Sequence, residues 1–462
     1  MEEVEVRDTI FALSSGPPPA AIAVIRISGP HARVALETML GRVPEPRRAT
    51  LGKIVHPFTQ DVIDEGLALW FPGPHSETGE DTVELQVHGG RAVIAAMLDA
   101  LAGFAEFRLA EPGEFTRRAF EHGRIDLTAV EGLADLIAAE TDAQRRQALR
   151  QLRGSIAEQA EAWRMRLIEA RALLEAGIDF SDEDDVPKNL ARQALSIIGP
   201  VAKEIITQAG HGHGERIRDG LQVAIAGAPN VGKSTLLNRF ARRDAAIVSP
   251  YAGTTRDVVE VHLDLAGYPV TLRDTAGIRP TDDPVEAEGV RRARQNVTTA
   301  DLTLWVLDAQ DVNAATLAAV ADEMRQTPTR AWFVINKVDL VEVKRRHAIE
   351  TLFPNPNARF LISAATGEGV DILVEAIGKF VAQCLGRETV LVTRERHRQM
   401  LAAAAAALKS ALALDQAHGT EGREELIAEQ VRMATRALER LTGRVDVEDV
   451  LDVIFREFCV GK

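Results

Sequence analysis

The chain has 462 residues, 46% of them hydrophobic, two cysteines and a formal net charge of −14. At roughly 150 residues per domain, this length predicts about three domains, each able to bury a core, while Cys384 and Cys459 alone cannot form a disulfide framework. The acidic balance argues against holding nucleic acid on a broad basic surface, MEEVEVRDTI lacks the marks of a secretory signal, and MLAAAAAAL at 400–408 falls short of the ~20 residues that cross a bilayer, so a cytoplasmic protein with no membrane association is expected.

Residues 1–120 mix short β-type runs (AAIAVIRIS, EGLALWF, DTVELQVHG) with Gly-Pro turns and helical patterns such as RAVIAAMLDALAGF, which predicts an α+β module. Strand signals vanish over 121–214, where runs rich in Ala, Leu, Glu, Arg and Gln predict helices. Within it, the acidic DFSDEDDV at 179–186 lacks the glycine turn and twelfth-position glutamate of an EF-hand and reads as a solvated loop. GHGHG at 210–214 offers two histidines without further ligands nearby and reads as a flexible joint. Strands and helices alternate over 215–382, and 383–462 is helical again. Neither helix-only stretch has a sheet to pack on, so one helical domain built from both, with the α/β block inserted, is the economical arrangement.

The inserted block carries four motifs, each at a strand end. LQVAIAG runs into APNVGKST, a G-x-x-x-x-G-K-S loop with Gly227, Gly232, Lys233 and Ser234 in register. Backbone N–H groups of such a loop wrap phosphates, Lys233 adds a point charge, and the Ser234 hydroxyl reaches Mg²⁺. In DTAG, Asp274 holds Mg²⁺ through water and the Gly277 amide senses a γ-phosphate. In NKVD, Asp339 accepts from N1–H and the 2-amino group of guanine, which adenine does not present as a pair. In SAATGEG, the Ala364 amide is placed to meet guanine O6. The set predicts a GTP site that also takes in Asn230, Val231, Thr235, Ser249, Thr254, Thr255, Thr275, Ala276, Asn336, Lys337, Ser363 and Ala365. Ile278 follows DTAG where many small GTPases carry a water-positioning glutamine, so hydrolysis needs another group. Asn230 in PNVGKS and the GTTRD loop at 253–257 resemble GTPases that bind K⁺ in place of an arginine finger; the plainer alternative is that Asn230 only shapes the loop.

Outside this block, VIRISG, VIDEGLALWFPGPHSETGEDTVELQVHGG, AEPGEFTRRAFEHGRIDL and the terminal CVGK resemble the MnmE (TrmE) family of tRNA uridine-modification GTPases, and the likeness covers essentially the whole chain. The resemblance implies a multidomain protein: an N-terminal α+β domain that binds a tetrahydrofolate derivative (5-formyl- or 5,10-methylene-) and forms the homodimer, a helical domain from two chain segments, and an inserted α/β Ras-like P-loop G domain. It also implies an FAD-dependent MnmG-type partner, with which such proteins install aminomethyl or carboxymethylaminomethyl groups at C5 of the tRNA wobble uridine.

By the same resemblance the folate contacts fall on Arg26, Glu84, Arg124 and Lys462. The Mg²⁺ ligands fall on Ser234 and Thr255, and the K⁺ contacts on Asn230, Ser249, Tyr251 and Thr254. The water-polarising glutamate falls on Glu286, and Cys459 becomes a site residue, as nucleophile or positioning group. A carboxylate such as Glu84 suits the amidine-like edge of a pterin, and the cations suit its glutamate tail. Two departures stand out. GPPPAAIAV replaces the usual glycine-rich run, and Pro280 and Pro284 bracket the segment before Glu286. The cysteine fourth from the end suggests prenylation, but Lys462 is not a usual final residue for it. A ribosome-assembly GTPase switch would need an added RNA-binding domain or a second G domain, and neither is visible. A folate-dependent aminomethyl transferase without an RNA role leaves the G domain and tail unexplained.

Overall fold

The computed structural model describes residues 8–462 except 181–186, 188, 211–212, 244, 248–259, 275–296, 326–328, 354–358, 387–390, 419–421, 446–447, 457, 459 and 462. The chain divides into two compact units. Met1–Ala134, Gln151–Ala202 and Ala403–Lys462 form the first, and Asp135–Arg150 with Lys203–Ala402 the second.

In the first unit the described strands are β1 (Thr9–Leu13), β2 (Ile22–Ser28), β3 (Thr50–Val55), β4 (Val62–Phe71), β5 (Thr82–His88) and β6 (Phe107–Leu109). They form one sheet in the order β3-β4-β5-β2-β1-β6, antiparallel except for the β1–β6 pair. The period-two pattern of IAVIRIS sends Ala23, Ile25 and Ile27 into a core shared with Val83, Leu85 and Val87 of β5, closed by Leu36 and Met39 of helix Ala32–Leu40 and Met97 and Leu101 of helix Arg91–Ala102. The same alternation turns Arg26 and Glu84, which are register partners, to the opposite face. The α+β expectation is met.

A buried ion network ties helix Glu114–Glu121 to this sheet. Arg118 pairs with Glu80 and with Glu114 at 3.0 Å each, Arg108 holds Glu114 at 2.6 Å, and Ser28 Oγ donates to Glu80 at 2.8 Å. Burial pushes the Glu114 carboxyl up, but hydrogen bonds from Arg108, the Glu111 N–H and Arg118 outweigh it and hold the carboxyl below its ordinary range. A folded-state pKa below the unfolded one gives stability that is full above the ordinary glutamate range and lost as pH falls through the depressed value. Glu114→Gln leaves Arg118 and Arg108 short of a charge partner and is expected to cost about 3 kcal/mol at neutral pH. It should also flatten the acid limb of stability, which urea unfolding between neutral pH and pH ~3 would check.

The two helical stretches that flank the second unit in sequence meet in the first. Helix Ser155–Asp179 buries Ile156, Ala160, Trp163, Leu167, Ala170 and Leu174, and helix Glu424–Thr442 buries Ile427, Val431, Ala434, Leu438 and Leu441. Both show alternating steps of four and three, the spacing of one apolar seam, and the two helices pack on each other. Arg164, paired with Glu161 at 3.0 Å, also reaches Glu439 at 3.4 Å.

The second unit holds β7 (Leu221–Ala226), β8 (Glu260–Leu265), β9 (Tyr268–Asp274), β10 (Leu302–Asp308), β11 (Arg330–Asn336) and β12 (Arg359–Leu361), in the order β12-β11-β10-β7-β9-β8. All neighbours run parallel except the β8–β9 hairpin. LTLWVLD is buried along its whole length, as a central strand covered on both faces must be. The stretch Asp135–Arg150 joins this unit through Ala143 N–H to Gly267 O at 2.9 Å and Gln147 Nε2 to Gly214 O at 2.9 Å. Among the described residues, no helix is long and apolar enough to cross a membrane.

Candidate functional site

In an open parallel sheet, ligands bind beyond the carboxyl ends of the strands, and there the motifs gather. β7 runs into the G-x-x-x-x-G-K-S loop, β9 ends at Asp274, β11 ends at Asn336, and the SAATGEG loop follows β12. Gly232 caps helix Lys233–Ala241 with φ +99°, and a Cβ there would stand 2.2 Å from Asn336 Nδ2, so neither its backbone nor its surroundings admit a side chain. Asn230 is exposed in the same loop at φ +64°. The Lys233 side chain folds back over the loop, its Nζ donating to Gly227 O and Ala228 O at 3.0 Å each. Ser234 and Thr235 are exposed in the first turn, where helix N–H groups and dipole favour an anion.

The base end is organised by Asn336, 2% exposed. Its Nδ2 donates to Val231 O in the phosphate loop at 2.8 Å, and its Oδ1 accepts from Ala364 N–H at 2.8 Å. One side chain thus sets the spacing between phosphate loop and base loop. Lys337, at φ +63°, pairs with Asp308 at 2.7 Å. Asp339 stands exposed on the short turn Val338–Leu340, anchored by buried Val338, whose N–H donates to Ile362 O at 3.2 Å. Ser363 is fully buried: its Oγ accepts from Thr366 N–H at 3.1 Å and its carbonyl from Gly367 N–H at 2.8 Å, which closes the loop on itself. Ala364 N–H, assigned from sequence to guanine O6, is on Asn336 here. The neighbouring cleft, about 630 Å³, is lined among others by Thr235, Asn238, Arg239, Ala364 and Ala365.

Of the remaining sequence candidates, Ser249, Tyr251, Thr254, Thr255, Thr275, Ala276, Gly277 and Glu286 lie outside the described residues, as does the Asp274 side chain. Sequence reasoning passed over Arg239, whose Nε donates to Ala364 O at 3.0 Å; no motif marks it.

Two family models cover the chain: "GTP-binding protein TrmE N-terminus" matches residues 9–124 and "MnmE helical domain" matches residues 127–459. The tRNA modification GTPase MnmE of Rhodopseudomonas palustris (strain BisB18) is 53% identical over 459 residues, spanning 99% of both chains. That of Bradyrhizobium sp. (strain BTAi1 / ATCC BAA-1182) is 54% identical over 456 residues, 98% of this chain and 99% of that protein. The chain belongs to the MnmE family of tRNA modification GTPases. A solved structure of an Aquifex aeolicus Era variant bound to GDP and AlF4⁻ shares 28% identity over 40% of this chain and 66% of that one, with a TM-score of 0.30. In MnmE-family terms, the first sheet is the TrmE-type N-terminal domain, and the second is a Ras-like P-loop G domain lying inside the span of the helical-domain match.

In the N-terminal domain, Arg26 donates to Glu84 Oε1 through Nε and Nη2 at 3.1 and 2.9 Å, and its Nη1 pairs with Glu77 at 2.8 Å. The guanidinium lies 5.7 Å from the centre of the Phe115 ring. Glu77 was not foreseen; it lies in a loop with no periodicity to mark it. Arg124 is exposed beyond the end of helix Glu114–Glu121.

The C-terminal tail comes to this same domain. Helix Glu448–Arg456 carries buried Phe455, which with buried Phe458 just beyond its end packs with Leu127 and Val130, and Arg117 pairs with Asp452 and lies 5.2 Å over Phe455. Val460 then bridges Pro112 in antiparallel fashion, three residues before Phe115. Gly461, at φ +97°, is buried so closely that a Cβ would sit 2.2 Å from Leu13 O at the end of β1. Cys459 and Lys462 are outside the described residues.

Proposed function

We propose that this protein is a K⁺-dependent GTPase that works with an FAD-dependent MnmG-type partner on C5 of the tRNA wobble uridine, using the one-carbon unit of a tetrahydrofolate derivative. The observation that carries the guanine part is the Asn336 junction, which holds phosphate loop and base loop together and leaves Asp339 exposed beside them. Asp339 selects guanine, Lys233 and the helix N-terminus receive phosphates, and Ser234 and Thr255 would hold Mg²⁺, which would supply charge neutralisation at the phosphates. Asn230, Ser249, Tyr251 and Thr254 supply oxygens for K⁺, and Glu286 polarises the attacking water.

For the folate part, the Glu84 carboxylate and the Arg26 guanidinium, backed by the buried Phe115 ring, stand on the domain where the tail arrives, a polar pair that fits a flat heterocycle with an anionic tail. Arg26 and Glu84 would orient it, with Arg124 and Lys462 supplying charge for its carboxylates. The N-terminal domain is the proposed homodimer contact, checked by light scattering on nucleotide-free protein. The decisive test of function is the wobble uridine itself: tRNA from cells lacking this protein should lose the aminomethyl-type modifications and regain them on complementation. Unchanged modification would overturn the reading.

A truncation separates the two parts. Deleting residues 459–462 removes the Val460 bridge and the Gly461 contact and leaves every G-domain motif of the chain intact. Folate affinity should fall by about tenfold or more and tRNA modification should stop, while intrinsic GTP hydrolysis stays within about twofold. Cys459→Ser then tests the thiol alone, since it keeps a small polar group and removes the better nucleophile. Full modification by the truncated protein would remove the tail from the site.

A further inference from the structure

Arg239 sits six residues after Lys233 on the helix Lys233–Ala241 and belongs to none of the nucleotide motifs. Its Nε donates to Ala364 O at 3.0 Å and its Nη2 donates to Ala365 O, so one planar fork holds two successive carbonyls of the base loop. In a trans peptide the C=O and the following N–H share a plane and point opposite ways. Holding Ala364 O therefore turns the Ala365 N–H away from the arginine, and the positive charge on that carbonyl polarises the N–H as a donor. Ala364 N–H is already given to Asn336 Oδ1, whereas the N–H of exposed Ala365 has no partner among the described residues.

We propose that Arg239 is a positioning residue for guanine recognition: by fixing the Ala364–Ala365 peptide, it presents the Ala365 N–H to the O6 atom of the base. This rests on the guanine-nucleotide reading above and adds a residue and a donor to it. Deleting the fork leaves the peptide free to rotate, so the loss falls on nucleotides that present an oxygen at position 6.

The test is equilibrium binding of GDP, inosine diphosphate, 6-thioguanosine diphosphate and ADP to the full-length protein and to Arg239→Ala. Inosine diphosphate keeps O6 and lacks the 2-amino group, while the thio analogue keeps the 2-amino group and offers a weakly accepting sulfur. Arg239→Ala should raise the Kd for GDP and for inosine diphosphate by about tenfold, the worth of one hydrogen bond, and for the thio analogue by about twofold. Arg239→Lys, which keeps the charge and loses the fork, should give the same ordering with smaller shifts, and it carries the comparison if the alanine variant does not fold. Equal shifts for GDP, inosine diphosphate and the thio analogue would mark Arg239 as a general brace and overturn the proposal while leaving guanine selectivity intact. Wild-type protein that binds ADP as tightly as GDP would overturn the guanine reading itself.

Discussion

Asp339→Asn is expected to weaken GTP binding by about 10³-fold and to shift preference toward xanthosine triphosphate. The carboxylate is exposed, and the backbone that carries it is pinned by buried Val338 and by the Val338 N–H to Ile362 O bond, so its place on the turn is set before any base arrives. Guanine offers two donors, N1–H and the 2-amino group, to two carboxylate oxygens. An amide offers one oxygen and one NH₂, leaving a donor facing a donor, and that unpaired contact costs far more than a lost bond. Xanthine carries an oxygen at position 2 and so restores the match. Competition against a fluorescent GDP analogue checks both halves. A loss below about threefold would show that Asp339 does not read the base.

Turnover in K⁺ should exceed turnover in Na⁺ by about 10³, the scale of an arginine finger. Asn230 lies exposed in the phosphate loop at φ +64°. On the proposed reading, Asn230 with Ser249, Tyr251 and Thr254 would hold the larger ion, which would supply positive charge where negative charge develops on the transferred phosphoryl group. Glu286→Ala in K⁺ should lower kcat by at least about tenfold with nucleotide affinity nearly unchanged, as expected of a group used only in the transition state. Equal turnover in the two salts would refute the cation site, and an unaltered kcat would take Glu286 out of the mechanism.

What could be read from the chain alone was whatever local chemistry fixes. The phosphate loop is legible because its glycines meet conditions that only glycine meets, as at Gly232. The strand faces of the N-terminal domain follow from period two, which is why Arg26 and Glu84 fall on one face. The pairing of the flanking helical stretches follows from apolar stripes with no sheet to cover them. Individual side-chain contacts between distant stretches were not legible. The Asn336 bond to Val231 spans 105 residues, and only the sheet order, which sets β7 two strands from β11, brings it about. The Arg239 fork depends in the same way on where helix Lys233–Ala241 meets the loop after β12. Glu77 reaches Arg26 from a loop, and the commitment of Ala364 N–H to Asn336 turns on a side-chain direction that residue type does not state.

The first unit is assembled from three separated stretches, the last being Ala403–Lys462, whereas most of the second is the single run Lys203–Ala402. On a ribosome adding about 5–20 residues per second, the helix Ser155–Asp179 waits roughly 10–50 s before its partner Glu424–Thr442 is made. Until then its Trp163 and Leu167 stripe lacks the face that buries it in the finished protein. The nucleotide-binding unit has nearly all its chain during that interval. Synthesis thus favours a GTP-binding domain that folds first, leaving an exposed apolar helix for chaperones to cover until the last sixty residues emerge.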